Sequence, residues 1–303
     1  MIVRASAAAM ACLVMTGACS LTVPLDDLQG GDAQAFASSG VGATGAGTQA
    51  STSSAGAGAA GGSPSSTSTS TGAGGGSSNQ YAASVMADGP IAYYRLGDAA
   101  PPIAVDASGH GHDATYMRGV ALGAQGALVG DTDTAAHFDG SNDNIDAGDG
   151  VFDFAGTAAF TLEAWVLPDT VDVEYQAIFS KEDDGPAGRQ GYFLSLNYAT
   201  LRFIRNANGA WDLSAGGALA AGVFSHVAVT FDGFTMLLYL NGLEVAGGSA
   251  DKAMIDNGQP LFIGERTLYG GIDSLLGTID EVALYDKALP ATKLNEHIAA
   301  AVR

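Results

Sequence analysis

The sequence is poor in cysteine and in basic residues. Its 303 residues include 2 cysteines and 12 lysines and arginines against 32 acidic residues, which gives a net charge of −20 at pH 7. One cysteine, Cys12, lies in the apolar start of the chain, so no intramolecular disulfide framework is expected. The shortage of basic residues argues against binding DNA or RNA, whose phosphates require a basic surface. The acidity fits a solvated secreted protein or one with oxygen-rich cation sites.

Long apolar runs are also missing. The basic start "MIVR" precedes 14 uncharged residues, "ASAAAMACLVMTGA", which are too few to span a bilayer and typical of a signal-peptide core. The stretch "LVMTGAC" resembles a bacterial lipobox, although Thr16 stands where leucine is usual. The resemblance implies that residues 1–18 are a signal peptide, that Cys19 is lipidated, and, with Ser20 next, that the protein reaches the outer membrane or cell surface. Ordinary signal cleavage or a retained anchor is the alternative.

Residues 19–80 are predicted to be a disordered linker. From about residue 30 they are almost entirely Gly, Ala, Ser and Thr, as in "STSSAGAGAAGGSPSSTSTSTGAGGGSS", with no apolar period that could form a core. A flexible chain of about 60 residues spans roughly 45 Å root-mean-square. Such a linker would hold the following domain clear of the lipid head groups.

Residues 81–303 are predicted to form one all-β domain. Short alternating apolar runs such as "FTLEAWVL" and "FSHVAVTFDG" recur between Gly, Asp and Asn, and helix is expected only in the last segment, "PATKLNEHIAAAVR". This pattern predicts a two-sheet antiparallel sandwich with a short C-terminal helix. Two hairpins are predicted, one turning at residues 197–200 and one at 232–233.

The stretch "GTIDEVALYDKAL" (277–289) poses a question about its acids. Regular alternation puts Asp280 on one face with Val282 and Leu284, and Glu281 on the opposite, solvent-facing side. An unpaired carboxylate on an apolar face is costly because it loses its hydration. Asp280 therefore needs a partner such as a metal ion, unless it sits at a wet strand end.

The motifs of this domain, taken in order, resemble the laminin-G-like jelly rolls of the concanavalin A-like lectin/glucanase superfamily. The matching stretches are "AYYRLGD", "DASGHGHDATY", "HFDGSNDNIDAGD", "FTLEAWVLP", "FSHVAVTFDG", "YLNG" and "GTIDEVALYDKALP". The resemblance implies a jelly roll of one concave and one convex sheet. It also implies a structural Ca²⁺ ion bound by Asp280, with Asp106, Asp139 and Asp98 as further candidate ligands. For the last three, the alternative is ordinary turn chemistry.

Catalysis is not expected. Glucanases of this superfamily carry Glu-x-Asp-x-x-Glu on one strand, and this spacing is absent from the sequence. "SKEDDG" is interpreted as an acidic loop, and Asp280 and Glu281 are predicted to point to opposite faces. No "GxSxG" nucleophile motif is present either.

A carbohydrate site is predicted around one hairpin, "GYFLSLNYATLRFIRNANGAW". Sugars bind through aromatic faces aided by planar hydrogen-bonding side chains. The candidate ligand-binding residues are Trp211, Tyr192, Tyr198, Arg202 and Asn208. The alternative is that these aromatic residues simply cover the sheet.

Together these features predict a lipid-anchored envelope binding module that contains calcium and recognises carbohydrate or another surface ligand. Contact with the membrane is expected through the lipid anchor only, and no nucleic acid is expected as a partner. The alternatives are a structural or adhesive module that binds an envelope or extracellular protein and, third, a diverged glycosidase or lyase.

Overall fold

A computed structural model describes residues 78–184, 188–207, 210–266 and 273–301. The chain divides into two units, Met1–Ser68 and Thr69–Arg303, and every described residue belongs to the second. The predicted signal peptide, the lipidation site at Cys19 and the linker up to residue 77 lie outside the described residues. In the described ranges, no helix has the length and apolarity needed to cross a membrane.

The described residues form sixteen strands and two helices. The early strands are β1 (Ala92–Tyr94), β2 (Ile103–Ala104), β3 (Ala114–Met117), β4 (Ala121–Gln125), β5 (Thr134–Asp139), β6 (Asn144–Asp146), β7 (Phe160–Pro168) and β8 (Gln176–Asp183). The later strands are β9 (Gln190–Asn197), β10 (Thr200–Ala207), β11 (Ala210–Ala218), β12 (Ser225–Phe231), β13 (Thr235–Leu240), β14 (Leu243–Ser249), β15 (Phe262–Ile263) and β16 (Leu276–Tyr285). The helices are α1 (Ser78–Ala87) and α2 (Ala291–Ala301).

The strands form two antiparallel sheets, as the sequence predicts. In the described residues, sheet A has the order β14-β13-β12-β7-β16-β5-β4, with β1 also paired to β16, and sheet B has the order β11-β10-β9-β8-β15-β6-β3-β2. Both predicted hairpins are confirmed: β9 and β10 pair from Asn197 opposite Thr200, and β12 pairs with β13 across the turn at 232–233.

The central strands of sheet A are buried on both of their faces. In β7, Leu162 and Ala164 lie in the core between the two sheets, whereas Glu163 and Trp165 are buried on the opposite face. Alternate side chains of one strand therefore enter two different interiors. Both interiors position polar groups described below.

The two helices cover the outer face of sheet A. Tyr81 and Val85 of α1 pack with Leu294 and Ala301 of α2 in one apolar cluster against this face, and α2 follows Pro290, which suits a first helical turn. The predicted C-terminal helix is thus confirmed. The expectation that helix is confined to the C-terminus is wrong, because α1 precedes the first strand.

The strand β16 contains a β-bulge at the acidic pair. Asp280 pairs with Trp165 of β7 and Ala283 pairs with Glu163, so three residue steps in β16 oppose two in β7. Glu281 lies within the bulge, and its backbone is in the left-handed region, with φ of 51°. The regular alternation assumed for this strand therefore stops at Asp280.

The bulge brings Ile279 onto the same face as Val282 and Leu284. Ile279, Val282 and Leu284 all lie in the core between the sheets, whereas Asp280 and Glu281 both lie outside that core. The prediction that the two acids point to opposite faces is wrong, and Glu281 is no solvent-side residue, since it is 1% exposed. The inserted residue explains both corrections.

Candidate functional site

An open groove lies on the outer face of sheet B, at the β9–β10 turn. Within β10, Leu201 and Phe203 enter the core between the sheets, so Arg202, between them, projects from the opposite face. Arg202 stands in register with Ser195 of β9 and Ala215 of β11. The groove has a volume of about 470 Å³ and is lined by Tyr175, Asn197, Tyr198, Thr200, Arg202 and Ala215.

Two aromatic rings and one guanidinium form the wall of this groove. The Cζ of Arg202 lies 5.2 Å from the centroid of the Tyr175 ring, within cation–π range. Tyr198 is 52% exposed and occupies the turn with φ of 52°. The positive φ is the conformation that a two-residue hairpin turn favours.

The groove contains two of the five predicted ligand residues, Tyr198 and Arg202. The prediction for Tyr192 is wrong: its side chain is 0% exposed, and its hydroxyl donates a 2.8 Å hydrogen bond to the carbonyl of Phe152 inside the core. Asn208 and the side chain of Trp211 lie outside the described residues.

Tyr175 and Asn197 belong to the groove but were missed by the sequence interpretation. Tyr175 immediately precedes β8 and is distant in sequence from Arg202. The pairing of β8 with β9 and of β9 with β10 brings them together. Only the strand order of sheet B reveals that contact, since no local motif marks Tyr175.

A second polar site surrounds Arg95, which follows β1. One guanidinium nitrogen, Nη2, lies 2.7 Å from Asp131, 2.8 Å from Asp133 and 3.0 Å from Glu281. Glu281 also accepts a hydrogen bond from the hydroxyl of Tyr93. One cation therefore holds three carboxylates, two from the segment before β5 and one from β16.

Asp280 lies beside this cluster and is bound by backbone groups. Its Oδ2 accepts a 2.8 Å hydrogen bond from the N–H of Ala127, and its Oδ1 accepts one of 3.0 Å from the N–H of Glu281. Burial, together with the charge of Glu281, raises the pKa of Asp280 well above its usual value. Burial also raises the pKa of Glu281 to about 7, and the charge of Arg95 offsets part of this effect.

A small cavity of about 220 Å³ adjoins the cluster, lined by residues that include Arg95, Asp98 and Asp133. The hydroxyl of Tyr116 donates a 2.8 Å hydrogen bond to Asp98. Burial, this bond and the charges of Asp133 and Asp280 raise the pKa of Tyr116. Two predicted metal ligands, Asp98 and Asp280, thus both act electrostatically on Tyr116, and a metal role for either residue stays a prediction.

The other two predicted metal ligands each lie just before a turn: Asp139 is the last residue of β5, and Asp106 forms an isolated β-bridge with Tyr94. Asp106 is buried and accepts backbone hydrogen bonds from Tyr93, Ser108 and His112 at 2.9–3.0 Å. Burial alone would raise its pKa, but the hydrogen bonds outweigh burial and lower it. Asp139 is exposed and accepts a 2.8 Å bond from the N–H of Ser141. Both contacts fit turn chemistry, and a metal role for either residue stays a prediction.

A third acidic cluster surrounds Lys181 of β8. Among the described residues, the group of acids whose oxygens all lie within 4.8 Å of one another consists of Asp149, Asp153 and Asp256. The Nζ of the buried Lys181 lies 2.7 Å from both Asp149 and Asp153 and donates to the carbonyl of Gln259. The prediction that "SKEDDG" is a loop is wrong for its first residues, because Ser180 to Asp183 belong to β8.

A buried polar network lies between sheet A and the helices. Glu163 accepts a 2.6 Å hydrogen bond from the hydroxyl of Tyr285 and lies 3.0 Å from both His226 and His297. His297 of α2 also contacts Asp88, just after α1, at 3.2 Å. The network therefore links β7, β12 and β16 to both helices.

The charges of this network stabilise each other. Burial alone would raise the pKa of Glu163, but hydrogen bonds and positive charge from His226 and His297 lower it to about 2. Burial alone would lower the pKa of His297, but Glu163 and Asp88 raise it above its ordinary value. A buried carboxylate with imidazole partners is thus a structural ion pair.

In the described residues, two antiparallel eight-stranded sheets enclose one core, which defines a jelly roll, and a groove lies on the outer face of sheet B. The comparison of sequences gives the family. Residues 139–295 match the family model described as the concanavalin A-like lectin/glucanases superfamily, and the chain belongs to it. The resemblance found in the motifs is thereby confirmed. No curated protein matches the sequence.

Solved structures of similar fold include several binding domains. The binding domain of Paraclostridial Mosquitocidal Protein 1 is 16% identical with a TM-score of 0.55, and the match covers 70% of this chain and 52% of that one. The ligand binding domain of botulinum neurotoxin serotype D, in complex with N-acetylneuraminic acid, is 15% identical with a TM-score of 0.55, covering 71% and 52%. The chain spans about half the length of these two.

A third similar structure is matched over almost its whole length. Domain 4 of AbnA, an extracellular arabinanase from Geobacillus stearothermophilus, in complex with arabinotriose, is 18% identical with a TM-score of 0.52. The match covers 69% of this chain and 98% of that one. At these identities the three similarities establish the fold.

Proposed function

We propose that the domain is a carbohydrate-binding module and that the groove beside the β9–β10 turn is its sugar site. One observation carries this proposal: Tyr175, Tyr198 and Arg202 converge with the amide of Asn197 and the hydroxyl of Thr200 in one open groove. Aromatic faces pack against the apolar C–H surface of sugar rings, and a few polar side chains fix the orientation of the hydroxyls. The similar domains crystallised with N-acetylneuraminic acid and arabinotriose support the same class of ligand.

A matched pair of variants tests the site. Replacing Tyr198 with Ala removes an exposed ring from the groove, whereas Phe234→Ala removes a comparably exposed ring from the turn between β12 and β13 of sheet A. Losing an aromatic contact worth about 1.5–3 kcal/mol weakens binding about tenfold or more. We expect Tyr198→Ala to lose binding to glycans selected on an array, with Phe234→Ala unchanged in calorimetric titrations.

The opposite results separate the alternatives. Equal binding by wild type and Tyr198→Ala would remove the groove from the sugar site. An array without any bound glycan would favour a structural or adhesive module that binds an envelope or extracellular protein.

We propose no catalytic role for the acidic pair of β16. Although Asp280 and Glu281 lie on the same side of the strand, they are only 3% and 1% exposed. Glu281 is further engaged by Arg95 and Tyr93. A buried, bonded pair of this kind gives no substrate access to either carboxylate.

We also propose that a calcium ion binds in the acidic neighbourhood of Asp280. Asp98 and Asp133 line the adjoining cavity, and carboxylate oxygens are the ligands that calcium prefers. In the described residues, the carboxylate oxygens near Asp280 do not form a group of three within 4.8 Å, so an ion would have to draw these side chains together. Chelation by EDTA should lower the melting temperature and added calcium should restore it. A melting temperature unaffected by both treatments would contradict the proposal.

The remaining part of the proposal concerns location. We propose that the module is exported and anchored through lipid on Cys19, at the outer membrane or cell surface, with residues 19–80 as its linker. The signal-peptide composition and the position of the cysteine support this anchoring.

A further inference from the structure

The charge of the groove contrasts with that of the whole chain. The net charge of the protein is −20 at pH 7. Among the described residues that line the groove, none is acidic, and the guanidinium of Arg202 is the charged group. On a protein with this net charge, a positively charged side chain in the groove favours an anionic ligand there.

The placement of Arg202 favours a carboxylate in particular. The Cζ of its guanidinium lies 5.2 Å from the centroid of the Tyr175 ring, within cation–π range, so the charged group is held at the wall of the groove. The in-plane N–H groups of a guanidinium form a planar fork that matches the two oxygens of a carboxylate. Asn197 and Thr200, in the same groove, offer hydrogen bonds to the hydroxyls of the same sugar.

We infer that the groove selects an acidic saccharide and that Arg202 pairs with the carboxylate of a sugar acid. The inference rests on the proposed sugar site and adds the charge of its ligand. Tyr175 and Tyr198 would hold the sugar ring, while Arg202 distinguishes a free acid from its neutral counterpart. A neutral sugar of the same shape would keep the aromatic contacts and lose the charge-assisted hydrogen bonds.

An array with neutral, carboxylated and sulfated glycans gives the first test. The best carboxylated binder is then compared with its methyl ester, which keeps the sugar and removes the charge. We expect the wild type to bind the free acid about tenfold or more tightly than the ester, because charge-assisted hydrogen bonds are about twice as strong as neutral ones.

Variants identify the group responsible. Arg202→Gln should abolish the preference for the acid while leaving ester binding nearly unchanged, and Arg202→Lys, which keeps the charge without the fork, should retain part of it. Lys252→Gln removes an exposed charge that pairs with Asp251 outside the groove, and it should change nothing. Melting temperatures equal to that of the wild type show that each variant is folded.

The contrary results distinguish a failure of this inference from a failure of the proposed sugar site. Equal affinity for acid and ester, with Tyr198→Ala still defective, would overturn the acidic ligand and leave the proposed sugar site standing. Binding of sulfated glycans alone would overturn the carboxylate. Absence of any glycan binding would overturn both the inference and the proposed function.

Discussion

The buried charge of Glu163 should set the acid stability of the domain. The pKa of its carboxyl falls from an ordinary value of 4.5 to about 2 in the folded protein. Each pKa unit corresponds to 1.36 kcal/mol, so the ionised carboxylate contributes about 3 kcal/mol to the free energy of unfolding. Because the pKa is lowered by folding, this contribution is present above pH 4.5 and is lost as the pH falls towards 2.

The contribution of His297 to the free energy of unfolding changes with pH in the opposite direction. Its pKa is raised by folding, so its contribution is complete below its unfolded value of about 6.5 and declines as the pH rises through the higher folded value. The two residues together contribute most between about pH 4.5 and 6.5. The network should therefore have its greatest effect in mildly acidic solution.

The variant Glu163→Gln isolates this contribution. Urea unfolding, followed by tryptophan fluorescence, gives the free energy of unfolding of wild type and variant from pH 2 to 8. We expect the variant to be less stable than the wild type by about 3 kcal/mol at pH 5.5. Most of this difference should disappear near pH 2, because the carboxylate of Glu163 in the wild type becomes protonated there and loses its charge interaction with the histidines. Taking the difference cancels the titration of other carboxylates.

A surface substitution on α2 serves as the control. Glu296 is exposed and pairs with Lys293 at the surface, so Glu296→Gln should change the free energy of unfolding by less than about 1 kcal/mol. A wild type and a Glu163→Gln variant that differ by the same amount at pH 2 and pH 5.5 would refute the reasoning. That result would mean that the two histidines do not hold the carboxylate ionised.

Three further predictions concern other parts of the chain. Arg95→Gln should lower the free energy of unfolding by about 3–5 kcal/mol at pH 8 in urea titrations, because Glu281 would be left buried without its cation; a loss under 1 kcal/mol would contradict this role. Tyr192→Phe should lower the free energy of unfolding by about 1 kcal/mol in the same assay, through the lost hydrogen bond to Phe152. It should leave glycan binding intact, and impaired binding would show that Tyr192 belongs to the sugar site. Cys19→Ser should move the protein from the detergent phase to the aqueous phase on Triton X-114 partitioning, and an unchanged distribution would argue against lipidation.

The sequence pattern predicts the sandwich because its strands and turns are locally marked. The hairpin at 232–233 has its Asp-Gly turn, and α2 has a proline at its start and an apolar stripe. By contrast, α1 is almost as long, but its segment "SNQYAASVMA" has no proline at its start and directly follows the Gly/Ser-rich stretch. Its stability comes from packing on sheet A, which only the tertiary structure provides.

The errors at the candidate sites have a common physical cause. Alternation identifies two faces of a strand but does not say which face enters the core, and in β9 both Tyr192 and Phe193 are fully buried. A β-bulge also shifts the alternation, and neither Asp280 nor Glu281 is a glycine that would signal the positive φ. Tyr198 and Arg202 were identified because they share one hairpin, whereas Tyr175 joins them through sheet pairing alone.

The packing of α1 beside α2 also determines where a label or a fused protein can be attached to the domain. Ser78 begins one helix and Ala301 ends the other, and both helices pack on the outer face of sheet A, whereas the groove opens on the outer face of sheet B. A fluorophore, a surface coupling or a fused protein placed at either end of the domain is therefore attached on the side away from the groove. Immobilised or tandem copies should keep their grooves accessible, which makes the domain suitable for multivalent display.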